Sequence, residues 1–262
     1  MIDTKLHQLS LSLTLTRRAI EQRYRGSTLG FLWAFLTPLL MLLVFTFVFG
    51  VVFQSRWQAE VSNTFEFAMV LFAGITTFGL FSDIVGASPN LVVEQPNLVK
   101  KVVFPLEILP LISFGQAFFQ TGVTFVILIL INAFLGTGFH FTAFALPLLL
   151  VPICLTALGL SWFFAALGVY VRDINQILPP LLTALMFMSA VFYPVSALPV
   201  WMQPALAYNP IITAVEMVRN ALVFGSLPEG QTLANAMVVG GVISVAGYLF
   251  FQKTKRGFAD VL

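Results

Sequence analysis

Charged side chains are scarce in this chain, 9% of its residues. Four of them gather between Glu94 and Pro110: Glu94, Lys100, Lys101 and Glu107. Gln95, Pro96, Asn97, Leu98 and Val102 stand among them. Pro96 and Pro105 leave room for about two turns of helix, since proline suits a first helical turn and not an interior one. On such a helix Leu98 and Val102 share a face, with Lys100 and Lys101 off it. A short amphipathic helix between long apolar runs, basic at its surface, suggests a docking element. The alternative is an ordinary positively charged loop.

The remaining polar residues offer little chemistry of their own. The chain has no G-x-x-x-x-G-K-[ST] phosphate loop, so it is not expected to bind and hydrolyse a nucleotide alone. No H-E-x-x-H or G-x-S-x-G occurs either. His7 and His140 lie apart from each other and from Cys154, and no metal site is expected. Cys154, the single cysteine, sits in an apolar run and reads as a packing residue. Asp83 is the lone carboxylate inside an apolar span, near one end of it. An ion-driven carrier usually needs ionisable groups at membrane depth, so Asp83 reads as an interfacial or helix-packing residue more than a proton relay.

The elements that position these residues are membrane spans. The 262 residues are 59% hydrophobic, with mean hydropathy +0.96, whereas soluble domains are nearer half apolar and a quarter charged. A net charge of +2 is too small to suggest nucleic acid. Crossing a ~30 Å core takes ~20 apolar residues. Six segments qualify: Phe31–Phe53, Phe67–Val85, Leu109–Phe134, Ala143–Val171, Ile174–Phe192 and Ala234–Phe251. The fourth is over-long, and the fifth is expected to kink or break at Pro179-Pro180. With the N-terminus inside, the cytoplasmic basic residues are Lys5, Arg17, Arg18, Arg23, Arg25, Lys100, Lys101, Arg172, Lys253, Lys255 and Arg256, which leaves only Arg56 and Arg219 outside. The positive-inside rule then puts both termini in the cytoplasm. The polar, basic N-terminus is not a cleavable leader, so the first span is expected to persist.

Within residues 1–26, Leu6, Leu9, Leu13 and Ile20 fall at helical spacing, although Leu9 to Thr16 also alternates as a strand would. A lone strand at a membrane surface leaves its backbone unpaired, so an amphipathic helix in the headgroup plane is expected. The segment 193–233 is rich in proline yet apolar. In it Asn209 can cap a helix from Pro210, with Glu216 and Arg219 one turn apart and Gly225 as a stop. That helix is too short to span, so re-entrant or interfacial helices fit best. Ala236, Gly240, Ser244 and Gly247 form a small-residue stripe suited to close packing. Trp33, Trp57, Tyr170, Tyr193, Trp201 and Tyr248 sit near span ends, where an aromatic belt is expected.

The run Arg23-Tyr24-Arg25-Gly26-Ser27-Thr28-Leu29-Gly30-Phe31-Leu32-Trp33, with Pro38-Leu39-Leu40, resembles the opening of the membrane subunits of ABC-type polysaccharide exporters. The resemblance continues through Val102 to Pro110, Val171 to Ile174, Phe192-Tyr193-Pro194, Asn209-Pro210 and Arg219, and covers the chain in order. Ala19-Ile20-Glu21 departs from the family, which often has an Asp there. The resemblance implies an all-α, six-span subunit, a transport protein and not an enzyme. It implies a homodimer in a bacterial inner membrane with two ATP-binding cassette subunits that hold ATP and magnesium, this chain carrying no cofactor. The cargo it implies is a lipid-linked polysaccharide.

By position, residues 94–105 match a coupling helix, and Arg17, Arg18, Arg23, Tyr24 and Arg25 match a cytoplasmic gate or interface helix. Asn209, Glu216 and Arg219 match an outer gate. Spans one and five would line the passage, which makes Trp33, Phe187, Tyr193, Trp201 and Tyr208 candidates for contact with the glycan, their apolar faces suiting sugar C–H groups. The alternatives are a related exporter of drugs or small lipids and, on weaker ground, an intramembrane glycosyl-transfer enzyme.

Overall fold

A computed structural model describes residues 2–48, 64–100, 104–136, 138–195 and 209–262. Among them every regular element is helical: α1 (Ile2–Tyr24), α2 (Trp33–Phe45), α3 (Thr64–Ala87), α4 (Asn90–Val93), α5 (Pro96–Lys100), α6 (Ile108–Leu135), α7 (Leu146–Leu149), α8 (Val151–Tyr170), α9 (Ile174–Met188), α10 (Pro210–Leu222), α11 (Gly230–Thr254) and α12 (Phe258–Val261). The far end of the first expected span, Arg56, Trp57, Lys101, Val102, Trp201 and Tyr208 lie outside the described residues.

Among the described residues, five stretches are long and apolar enough to cross a membrane: Gly30–Val48, Phe65–Ala87, Ile108–Leu135, Phe141–Tyr170 and Gly230–Val261. The expected fifth span does not reach that length. α9 stops at Met188 after 15 residues, about 22 Å at 1.5 Å per residue against a ~30 Å core. The chain turns there because Ala190 takes a left-handed conformation, φ +52°. The break expected at Pro179-Pro180 is absent, and α9 runs through both prolines. Both face outward, and their fixed φ near −65° is already helical. The over-long fourth span is resolved differently. A 3-10 turn at Phe141–Ala145 and the short α7 take up the excess before α8, with a proline in the first turn of each helix.

α3 forms the centre, buried along most of its length and flanked by α6, α8, α10 and α9. Its Phe67, Met69, Leu71, Phe78 and Phe81 join Leu128, Ile153, Val215 and Leu222 in one core. The opposite faces of α6 and α11 leave Val126, Leu130, Val238 and Val242 exposed, as lipid-facing spans do.

α11 packs on α8 through the small-residue stripe. A Cβ on Gly240 would sit 2.5 Å from the Pro152 carbonyl oxygen, and one on Gly247 would run into the Gly159 carbonyl. Gly159 in turn lies against Ile243 and Ser244. Backbones in this contact touch directly. The variant Gly247→Leu should therefore cost about 3 kcal/mol through overpacking. A lowered midpoint of thermal unfolding in detergent would show it, and an unchanged midpoint would count against so close a contact.

α1 is a helix, as its backbone accounting requires, but it is not a free surface element. It lies along α6, where the Thr16 side chain covers Gly115 and the Tyr24 hydroxyl donates to Gln120 Oε1 at 2.6 Å.

Candidate functional site

The residues singled out by sequence fall into two groups at one end of the bundle and a third beyond α9. At the first, α4 and α5 follow α3 directly. Glu94, Gln95, Pro96, Asn97 and Lys100 are exposed, while Leu98 and Val99 are half-buried. Leu98 points inward, against a second core of Val92, Trp162, Val169, Phe251 and Phe258. The exposed surface of α5 is thus polar, and its apolar anchor is spent on the chain's own core. A docking role for this segment rests on Glu94, Gln95, Pro96, Asn97 and Lys100, with Leu98 holding them in place.

The C-terminus buttresses the same segment. α12 packs on α5 and α8, and Leu262 joins the second core. Lys255 Nζ reaches Glu107 Oε2 at 3.4 Å, so Glu107 ties the start of α6 to the end of α11. The Trp162 indole donates to the Glu107 carbonyl at 3.1 Å, and the Tyr170 hydroxyl donates to the Thr254 carbonyl at 2.9 Å. These contacts hold a five-residue helix that would be far too short to persist alone. Phe258 is fully buried here. Phe258→Ala should cost about 3 kcal/mol at a well-packed core position, and limited proteolysis should then cut near α5 first. A digestion pattern like the wild type would argue against the brace.

The second group surrounds the end of α1. Arg17 and Glu21 pair at 2.9 Å across one turn, both exposed, so the residue that departs from the family pattern has a local partner. Arg18, Arg23 and Arg25 are exposed as well. Arg18, Glu21, Tyr24, Arg25 and Phe31 line one groove of about 540 Å³. Arg23, Tyr24, Trp33 and Asp83 line a separate cavity of about 630 Å³ between α1, α2, α3 and α6. Trp33 therefore sits with the basic residues of α1, and Phe187 does not line that cavity.

Phe187 is exposed near the end of α9 and stacks on Phe192, ring centroids 5.2 Å apart. The Tyr193 hydroxyl donates to the Phe187 carbonyl at 2.6 Å. The structure thus joins Phe187 and Tyr193 in one turn beyond α9.

α10 begins as its sequence demands. The Asn209 carboxamide oxygen accepts from the Ile211 N–H at 2.9 Å, and Gly225 takes φ +66° past the helix end. Its burial is not what an interfacial helix would show, because nine of its residues are buried, Arg219 among them. Arg219 is 1% exposed. Its Nε donates to the Val70 carbonyl at 3.1 Å, and one terminal nitrogen to the Ala190 carbonyl at 2.9 Å. The other donates to the Val191 carbonyl. Glu216, half-buried, supplies a carboxylate at 3.2 Å. One guanidinium therefore pins α3, the turn after α9 and α10 together, which matches the rule that buried charge must be paired and hydrogen-bonded.

Sequence reasoning did not find this clamp, nor the role of Phe258 and Lys255. An apolar stripe of Ile211, Val215, Val218 and Leu222 flanking Arg219 was the available signal for the first.

Among characterised proteins, the chain is 27% identical to the O-antigen export system permease protein RfbA of Myxococcus xanthus over 252 residues, 95% of this chain and 94% of that one. It is 22% identical to a Klebsiella pneumoniae protein of the same name, over 96% and 95% of the two chains. The polysialic acid transport protein KpsM of Escherichia coli is 28% identical over 218 residues, 82% of each chain. Residues 11–223 match the family described as ABC-2 type transporter. With most of its length inside that match, and five helices among the described residues long and apolar enough to cross a membrane, the chain belongs to the ABC-2 type transporter family.

Proposed function

We propose that this chain is the permease subunit of an ATP-driven exporter that carries a lipid-linked polysaccharide outward across a bacterial inner membrane. It works as a homodimer with two ATP-binding subunits on the cytoplasmic side. The observation that carries this reading is the similarity, over 95% and 82% of this chain, to an export permease and a transport protein named for two polysaccharides, O-antigen and polysialic acid. Physics supplies the need. Each hydroxyl moved unpaired into hydrocarbon costs roughly 4–8 kcal/mol on an alkane scale, so a glycan of several sugars requires a passage and an energy source. The chain lacks a phosphate loop, and in this reading a partner supplies that energy.

In this reading the exposed side chains of Glu94 to Lys100 meet the ATP-binding subunit. The exposed apolar faces of α2 and α9, with Leu40, Leu43, Ile177, Leu181 and Phe187, supply the surface between protomers and the wall of the passage. Trp33, Phe187, Tyr193, Trp201 and Tyr208 contact the glycan, and the segment around Arg219 closes the outer side.

Deleting the gene tests the reading. Surface polysaccharide should disappear while lipid-linked polymer accumulates inside, and the wild-type chain should restore export. Normal surface polymer in the deletion strain would overturn it. Topology is tested separately. A cysteine at Ser226 should label from outside intact cells and one at Lys100 should not, and the reverse result would remove the coupling role of α5.

A further inference from the structure

The cavity between α1, α2, α3 and α6 carries two opposite charges that face each other without a direct bond. Arg23 and Asp83 both line it and both are exposed. Among the described residues neither makes a hydrogen bond or an ion pair within 4.0 Å. Tyr24, Gln120 and Thr124, which also line it, are already engaged. Gln120 accepts from Tyr24 and donates to the Ala34 carbonyl at 3.1 Å, and Thr124 donates to the Gln120 carbonyl at 3.0 Å.

Beyond the charges the lining turns apolar, through Met41, Phe45, Phe72, Ile75 and Leu80. Phe45 and Phe72 close the far end, ring centroids 6.0 Å apart. From Asp83 to Phe72 the helix rises about 16 Å, close to the ~15 Å depth of one leaflet's hydrocarbon. The volume, about 630 Å³, falls in the usual range for small-molecule sites, roughly 300–1,000 Å³.

We propose that this cavity holds a zwitterionic glycerophospholipid with a primary ammonium headgroup. Its phosphate sits at Arg23, its ammonium at Asp83, and one acyl chain lies between α2 and α3. The charge pattern selects this occupant. A purely anionic headgroup would set its phosphate near the Asp83 carboxylate with no cation of its own, and like charges at close range repel strongly away from bulk water. A dipolar headgroup satisfies both residues at once. The bound lipid then fills the gap between the end of α1 and the bundle.

Gly79 supplies the test. It lines the cavity, and a Cβ built on it meets no atom within 4 Å. The variant Gly79→Phe fills the space without backbone conflict, whereas Gly79→Ala leaves most of it open. The complete transporter, purified with its ATP-binding subunit, is equilibrated with mixed micelles of equal phosphatidylethanolamine and phosphatidylglycerol. Retained lipid is then read by native mass spectrometry.

The wild type and Gly79→Ala should retain phosphatidylethanolamine over phosphatidylglycerol by about tenfold, the scale of one modest charge contact. Asp83→Asn should bring that ratio towards one, and Gly79→Phe should lose the retained lipid. Three results would each overturn the proposal: no phospholipid retained by the wild type, equal retention of both lipids, or full retention by Gly79→Phe. The readout is bound lipid and not transport, so such a failure leaves the export reading standing.

Discussion

Arg219→Ala should remove most of the folded protein from the membrane. The substitution strips the Val70, Ala190 and Val191 carbonyls of their donor and leaves Glu216 without its cation. Breaking one partner of a buried ionic network typically costs 3–5 kcal/mol, about a third or more of a marginal fold's stability. For a chain of this size that is a fall of about 10 °C in thermal midpoint. Arg219→Lys keeps the charge but cannot reach three separate carbonyls with a planar fork, so it should fall between alanine and wild type. Fluorescence-detected chromatography of the heated, detergent-solubilised protein checks both. A midpoint within 2 °C of wild type for Arg219→Ala, in line with an ordinary surface change of about 0.5 kcal/mol, would mean the clamp contributes nothing.

Leu98→Asp is the second large effect. It places a carboxylate against the second core, to which Val92, Phe251 and Phe258 belong, where an unpaired charge is not tolerated. The five-residue α5 should leave its seat, export should cease, and the ATP-binding subunit should no longer co-purify. Reversing the exposed Lys100 should be milder and should depend on salt, because rim charges at an interface tune rate and are screened. Export and co-purification are measured side by side. Normal values for both in Leu98→Asp would reduce this segment to a positively charged loop.

The contrast between these residues shows what a single sequence makes visible. The α10 cap was legible because Asn209 and Pro210 are adjacent and act within one turn. α5 was legible for the same reason, Pro96 fixing its start. The burial of Arg219 was not, since its acceptors lie 149, 29 and 28 residues away. The packing of Leu98 on the chain's own second core was not legible either, since that core draws Phe251 and Phe258 from the far end of the chain.

The length of the fifth expected span was hidden in a related way. Hydropathy runs on from Ile174 to Phe192, but the helix ends where Ala190 turns, and no window average senses one backbone dihedral. The small-residue stripe of α11 was read correctly because its spacing alone defines a face. The small residue it meets, Gly159 of α8, appeared only in three dimensions.

In the proposed function, force enters this permease from an ATP-binding partner at the exposed face of α5. Asn97 lies on that face, and replacing it with a photo-crosslinking amino acid probes the contact with little disturbance of the core beneath. On illumination of membranes holding the complete transporter, position 97 should capture the ATP-binding subunit, while the same probe at Ser226 should capture none. Capture from position 226, or none from position 97 in a transporter that still exports, would contradict the account.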